Sequence, residues 1–143
     1  YGKHAESLIL RPKETYDGAI PSGNSIMAYN LVRLSIITSD DKFTKLAEKQ
    51  LDFIASDASQ YPAGYGMYLI SLLEYNEPPM KITVVSDGGA DLKLLVGSLP
   101  KEAVIIYLTE PTKEYPLKNG KTPYYVCKKH NCLPPVNDFN EIN

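Results

Sequence analysis

The chain has 143 residues, a length that suits one domain of ordinary size or part of something larger. Hydrophobic residues make up 43% and charged residues 22%, with no tract of uniform charge, which excludes intrinsic disorder as the organising state. Fifteen basic against seventeen acidic residues give a net charge of -2, so nucleic acid and membrane surfaces lose their usual electrostatic warrant as partners.

No apolar run approaches the roughly 20 residues that a membrane-spanning helix needs. The first residues, Tyr1-Gly2-Lys3-His4, carry no Met and no signal-like apolar stretch behind them, and read as a cut or processed end. Cys127 and Cys132 are the sole cysteines, too few for a secreted disulfide scaffold, and point to a reducing, cytoplasmic setting. No repeat of fixed period and no low-complexity segment is present.

In chain order, the first predicted helix starts between Ser22 and Ser25 and runs to about Thr38. Ser22, Asn24 and Ser25 all offer a side-chain acceptor for orphan N–H groups. Its body, from Ile26 to Ile37, is apolar nearly all round and predicts burial on most sides. A second helix opens at Ser39 or Asp40, with acids at the positive end of its dipole. Its Phe43, Leu46, Ala47, Leu51, Ile54 and Ala58 recur at helical spacing, as on an outer, half-solvated helix. After Tyr61-Pro62-Ala63-Gly64 a third helix over 65–75 is again apolar on most faces. The order buried, amphipathic, buried fits inner and outer helices of a toroid of helical hairpins, of which three helices form only a part; a helical layer on a sheet is the alternative.

Beyond Pro78-Pro79 the pattern turns to short β-rich runs. A β-branched strand is predicted over 81–86, a short helix over 90–99, and an apolar strand over 103–108 with both faces covered. Strand–helix–strand at this spacing predicts a right-handed parallel crossover. A third strand over 123–127 completes a small Rossmann-like parallel α/β layer. The fold class expected is therefore α+β, with helical hairpins over 1–78 and the α/β segment over 79–143.

The segment Asp17-Gly18-Ala19-Ile20-Pro21-Ser22-Gly23-Asn24-Ser25 supports two readings. One is a rigid start to a helix, with glycines in tight turns and Ser22 or Asn24 as cap. The other is a polar site, since free N–H groups at a helix start favour anions or hydroxyls.

Leu10-Arg11-Pro12-Lys13, this Asp-Gly-Ala-Ile-Pro-Ser-Gly-Asn-Ser run, Tyr61-Pro62-Ala63-Gly64, and Tyr125-Val126-Cys127 through Cys132-Leu133-Pro134-Pro135-Val136 occur in that order. Together they resemble the C-terminal part of the YyaL-like, thioredoxin-domain-containing family, relatives of the spermatogenesis-associated thioredoxin-like protein. The resemblance implies an N-terminal thioredoxin-like domain and an (α/α) toroid similar to sugar 2-epimerases and six-hairpin glycosidases. This chain would hold the last hairpins and the terminal α/β segment of such a protein, and the remaining domains would be its partners.

In such toroids the pocket lies where loops enter the N-terminal ends of inner helices, so the 17–25 and 61–66 loops are expected to share one mouth. A sugar there would meet Asp17, Ser22, Asn24 and Ser25, with Tyr29 and Tyr65 available to stack. Asp17 is the one catalytic candidate; paired-carboxylate sugar chemistry needs a second acid, or a base such as His, and the motif supplies neither. Cys127-Lys128-Lys129-His130-Asn131-Cys132 offers three ligands where structural zinc needs four. Buried structural thiols are the first expectation for Cys127 and Cys132, a local disulfide the second, and thiol redox chemistry the third. Asp87-Gly88-Gly89 lacks the rest of a dinucleotide fingerprint and reads as a tight turn. No metal and no cofactor is expected. The function expected is a structural portion of a larger protein, self-associating when isolated, with a carbohydrate pocket or thiol redox as alternatives.

Overall fold

The computed structural model describes residues 13–86, 96–129 and 131–142. Three α-helices come first: α1 (Gly23–Thr38), α2 (Asp41–Gln60) and α3 (Gly66–Asn76), the last preceded by a 3-10 turn at Pro62–Gly64. Four strands follow: β1 (Lys81–Val85), β2 (Val104–Leu108), β3 (Tyr124–Lys128) and β4 (Asn131–Cys132). The chain is thus mixed α+β.

Local chemistry sets the helix ends. Ser22 caps α1, its extended backbone leaving the hydroxyl to accept from the Ser25 N–H, and Asp40 caps α2 by accepting from the Lys42 N–H. Ser39, in the left-handed region at φ 54°, turns the chain from one helix into the next. Helix α2 buries Ala47, Leu51, Ile54 and Ala58 on one stripe, as its amphipathic spacing predicts.

Helices α1 and α3 run in the same direction. Asp17 binds the first turn of α3 and the Ser22 N–H at the start of α1, and about three helical turns along α1 and two along α3 Arg33 meets Glu74 at 3.4 Å. Connected through α2 by short links, they have α2 antiparallel to both. The helical core joins Ala28 and Val32, Ala47, Leu51, Ile54 and Ala58, and Tyr65 and Tyr68.

The expectation that α1 and α3 are buried on most sides is corrected. Ile26, Met27, Leu34 and Ile37 lie exposed along one stripe of α1, and Leu69, Ile70 and Leu73 along one stripe of α3. Leu31 and Met67, beside those stripes, are half-buried. Each helix is apolar on more faces than its neighbours among the described residues cover.

The sheet order is β2-β1-β3-β4, with β1 parallel to β2 and antiparallel to β3. The first pair is parallel, as expected. Of the helix predicted between them, residues 96–98 are helical and Leu99 is not, while 90–95 lie outside the described residues, as does the Asp87-Gly88-Gly89 turn. The expectation of an all-parallel, Rossmann-like layer is corrected at β3. A parallel strand needs a crossover, usually helical. The connection from β2 to β3 instead runs through prolines and a tight turn, with Asn119 at φ 55° and Gly120 at φ 70°, and returns β3 antiparallel. Strand β4 and the 3-10 turn Phe139–Ile142 were not expected from the sequence.

Strand β1 is central and almost wholly buried. Ile82 and Val84 point to a second core with Val126 and Ile142, backed by Met80, Leu99, Val136 and Phe139. Lys81, Thr83 and Val85 take the other face by strand alternation. The helices and the sheet therefore hold separate cores, joined through Glu77-Pro78-Pro79-Met80.

Candidate functional site

The expected shared mouth exists as a junction. Asp17 donates its N–H to the Gly64 carbonyl at 2.8 Å, so the two loops are hydrogen-bonded to each other. One oxygen of its carboxylate accepts from the Ser22 N–H at 2.8 Å, and the other from the Met67 and Tyr68 N–H groups at 2.9 and 3.2 Å. The Ser25 hydroxyl adds a further hydrogen bond. Partial burial pushes the Asp17 pKa up, but these donors outweigh it and hold the carboxyl below the ordinary aspartate value. Asp17 is thus an ionised bridge between the starts of two parallel helices, where both dipoles favour negative charge.

The other polar candidates are tied into the same junction. The Ser22 hydroxyl accepts from the Ser25 N–H and lies 3.0 Å from both the Thr15 carbonyl and the Ser25 hydroxyl. Asn24 donates to the Glu14 carbonyl at 2.6 Å and accepts from Gln50 of α2 through its backbone and side-chain oxygens. Tyr65 is buried, its hydroxyl 3.4 Å from that of Thr15, which itself donates to Asp57. Tyr29 sits half-buried on α1, one turn beyond Ser25. The structure thus brings Asp17, Ser22, Asn24, Ser25 and Tyr65 together, and their hydrogen bonds go to one another and to neighbouring groups of the fold.

An aromatic clasp closes this junction. Tyr16 stacks parallel to Tyr61 at 6.5 Å between centroids and meets Tyr65 edge-on at 6.0 Å. Gly64 lies beneath the rings, where a Cβ would come within 2.4 Å of Tyr16 and 2.8 Å of Tyr61. Gly64→Ala is therefore expected to splay the two rings and cost about 1–2 kcal/mol in urea unfolding. Gly23→Ala, where a Cβ meets nothing within 4 Å, is the matched control.

A cavity lies elsewhere, at the C-terminal ends of α1 and α3 where they approach the sheet. It measures about 470 Å³ and is lined by Ser35, Ser39, Tyr75, Pro79 and Lys81, with Cys127 and Cys132 on its wall. Lys81, Cys127 and Cys132 stand in one row across β1, β3 and β4. Lys81 reaches the Ser39 hydroxyl, and burial lowers its pKa against the opposing pull of Glu114. This cavity is not legible in the sequence, because strand pairing joins residues 81, 127 and 132 and helix packing adds Ser39.

The first expectation for the cysteines, buried free thiols, is corrected. They form a disulfide, S–S 2.04 Å, and Cys132 is exposed. The register explains it. Opposed residues of a hairpin approach most closely at non-hydrogen-bonded pairs, and Cys127 faces Cys132 between the Lys128–Asn131 pair and the Leu133 N–H to Val126 carbonyl bond. No group of three or more acidic, His or Cys side chains suited to a metal occurs among the described residues. No helix among them is long and apolar enough to cross a membrane.

Compared with protein-family models, with curated proteins and with solved structures, the chain matches none of them.

Proposed function

We propose that this chain is a structural portion of a larger protein: two inner helices and one outer helix of an (α/α) toroid, closed by a small α/β segment, without catalysis of its own. The observation that carries this reading is the parallel pair α1 and α3, fastened at their starts by Asp17 and each left with an apolar stripe facing outward. Inner helices of a toroid run parallel and find further inner helices beside them. The stripes of Ile26, Met27, Leu34 and Ile37 and of Leu69, Ile70 and Leu73 fit such neighbours. The family resemblance of the motifs supports the same reading, with the partners being the remaining domains, including a thioredoxin-like one, and the setting cytoplasmic.

The bonding of Asp17 argues against the carbohydrate-pocket alternative as catalysis by this chain. A general acid must exchange a proton with substrate, whereas this carboxylate is held ionised by donors of the fold. The test is a panel of aldose epimerisation and glycoside hydrolysis assays on the 143-residue chain. No turnover is expected from it. Turnover of any sugar that Asp17→Asn abolishes in folded protein would overturn the structural reading.

A further inference from the structure

We propose that the cavity between the helices and the sheet binds a small apolar monocarboxylate, with Lys81 holding the carboxylate and the aliphatic and proline wall taking the chain. At about 470 Å³ the cavity falls within the size range of small-molecule sites, and it is open to solvent, so a ligand can enter without rearrangement.

The charges on its wall single out Lys81. Glu74 is paired with Arg33 at 3.4 Å, and Lys129 lies 3.8 Å from Glu77. Lys81 forms no ion pair among the described residues; its ammonium donates to the Ser39 hydroxyl, a neutral group. An ammonium has three donors, so two are left for a ligand. Burial without a paired anion disfavours the charged form, and the Lys81 pKa lies below the ordinary lysine value despite the pull of Glu114. A carboxylate arriving from solvent supplies the missing counter-charge.

The helix ends do not compete for this lysine. Neither α1 nor α3 has a basic residue in its last turn, yet their terminal carbonyls already have donors. Leu34 and Ser35 accept from the Thr38 hydroxyl and the Ser39 N–H, and Leu72 and Leu73 from the Asn76 amide and the Glu77 N–H. The two C-terminal ends do carry negative dipole charge, which disfavours a dianion and selects a carboxylate over a phosphate. Beside Lys81 the wall turns apolar, with Val32, Ile36, Pro78 and Pro79 and the uncharged disulfide of Cys127 and Cys132. A ligand with one anionic head and a short hydrocarbon body matches both parts. No residue of the exposed stripes on α1 and α3 lines the cavity, so this site goes beyond the structural role and does not depend on what covers those stripes.

The test is a heteronuclear NMR titration of the whole chain at neutral pH with hexanoate, hexanol and hexyl phosphate. Hexanoate is expected to bind with a Kd of about 1 mM or tighter, and the other two at least about tenfold more weakly. Lys81→Met is expected to weaken hexanoate at least about tenfold, as loss of a charge-assisted hydrogen bond does. On the unaltered chain, which decides the matter should that variant fail to fold, hexanoate is expected to slow acylation of Lys81 by an acetyl N-hydroxysuccinimide ester while exposed Lys49 reacts as before. Absence of hexanoate binding, equal binding of hexanol or hexyl phosphate, or unchanged Lys81 acylation at saturating hexanoate would each overturn the proposal.

Discussion

Replacing Asp17 by Ala is expected to lower the unfolding free energy by about 2–3 kcal/mol, read as a fall in the urea midpoint at unchanged slope. One carboxylate receives the Ser22, Met67 and Tyr68 N–H groups and the Ser25 hydroxyl, and its removal strands them in a half-buried junction. Hydrogen bonds to a charged group are stronger than neutral ones, so the loss exceeds that of an ordinary cap. Asp17→Asn retains one acceptor oxygen and is expected to recover less than half of the loss. The sign of the pH dependence follows from the lowered pKa. A carboxyl whose folded pKa is depressed contributes stability above its unfolded pKa and loses it as pH falls through the folded one. The gap between wild type and Asp17→Ala is therefore expected to be full at neutral pH and to shrink below the ordinary aspartate value.

The second large effect concerns association. Met27 is 50% exposed and Leu73 62%, and they belong to apolar stripes on adjacent parallel helices. The isolated chain is expected to pair through these stripes, with a twofold dimer favoured because closed symmetric pairings dominate homo-oligomers. Sedimentation velocity over a hundredfold range of concentration is expected to show a monomer passing to a dimer. Met27→Lys with Leu73→Lys is expected to raise the dimer Kd by at least about tenfold, since each places a charge in the contact. The same pair of changes is expected to leave unfolding within about 0.5 kcal/mol per site, as both side chains face solvent in the monomer. A monomer at every concentration would remove the main support for further helices beside α1 and α3.

The helices were legible because their ends carry their own chemistry. Ser22 and Asp40 announce caps by residue type, and the three helix boundaries fall within a residue or two of where those caps and the Tyr61-Pro62 break put them. The apolar surround of α1 was legible as well, but not how much of it this chain would cover, because burial depends on neighbours that periodicity does not reveal. Strand direction was hidden for a similar reason. The Tyr124-Tyr125-Val126-Cys127 run has the same alternation whether it enters the sheet parallel or antiparallel, and only a connection without a helix to cross over separates the two. The 17–25 segment disclosed that polar groups would gather at a helix start. It did not disclose that Asp17 would reach residues 67 and 68, some fifty positions away, and so be occupied by the fold. For the cysteines, a separation of five permits free thiols and a disulfide alike; register settles it.

The sheet's central strand has a consequence for the order in which the molecule forms. The helical core is closed by α1 packing on α2, next to it in the chain, and on α3 beyond it, so all its partners precede the sheet in sequence. Strand β1 cannot be completed that way, since Lys81 waits for Cys127 and Ile82 for Val126. Until β3 emerges, β1 presents the open edge that β3 later covers, rich in valine and isoleucine. During synthesis the helices can therefore close first, and the sheet is completed only when the tyrosine-rich third strand docks. A ribosome making this chain would hold the unpaired edge exposed for the roughly forty residues between, a few seconds at ordinary elongation rates.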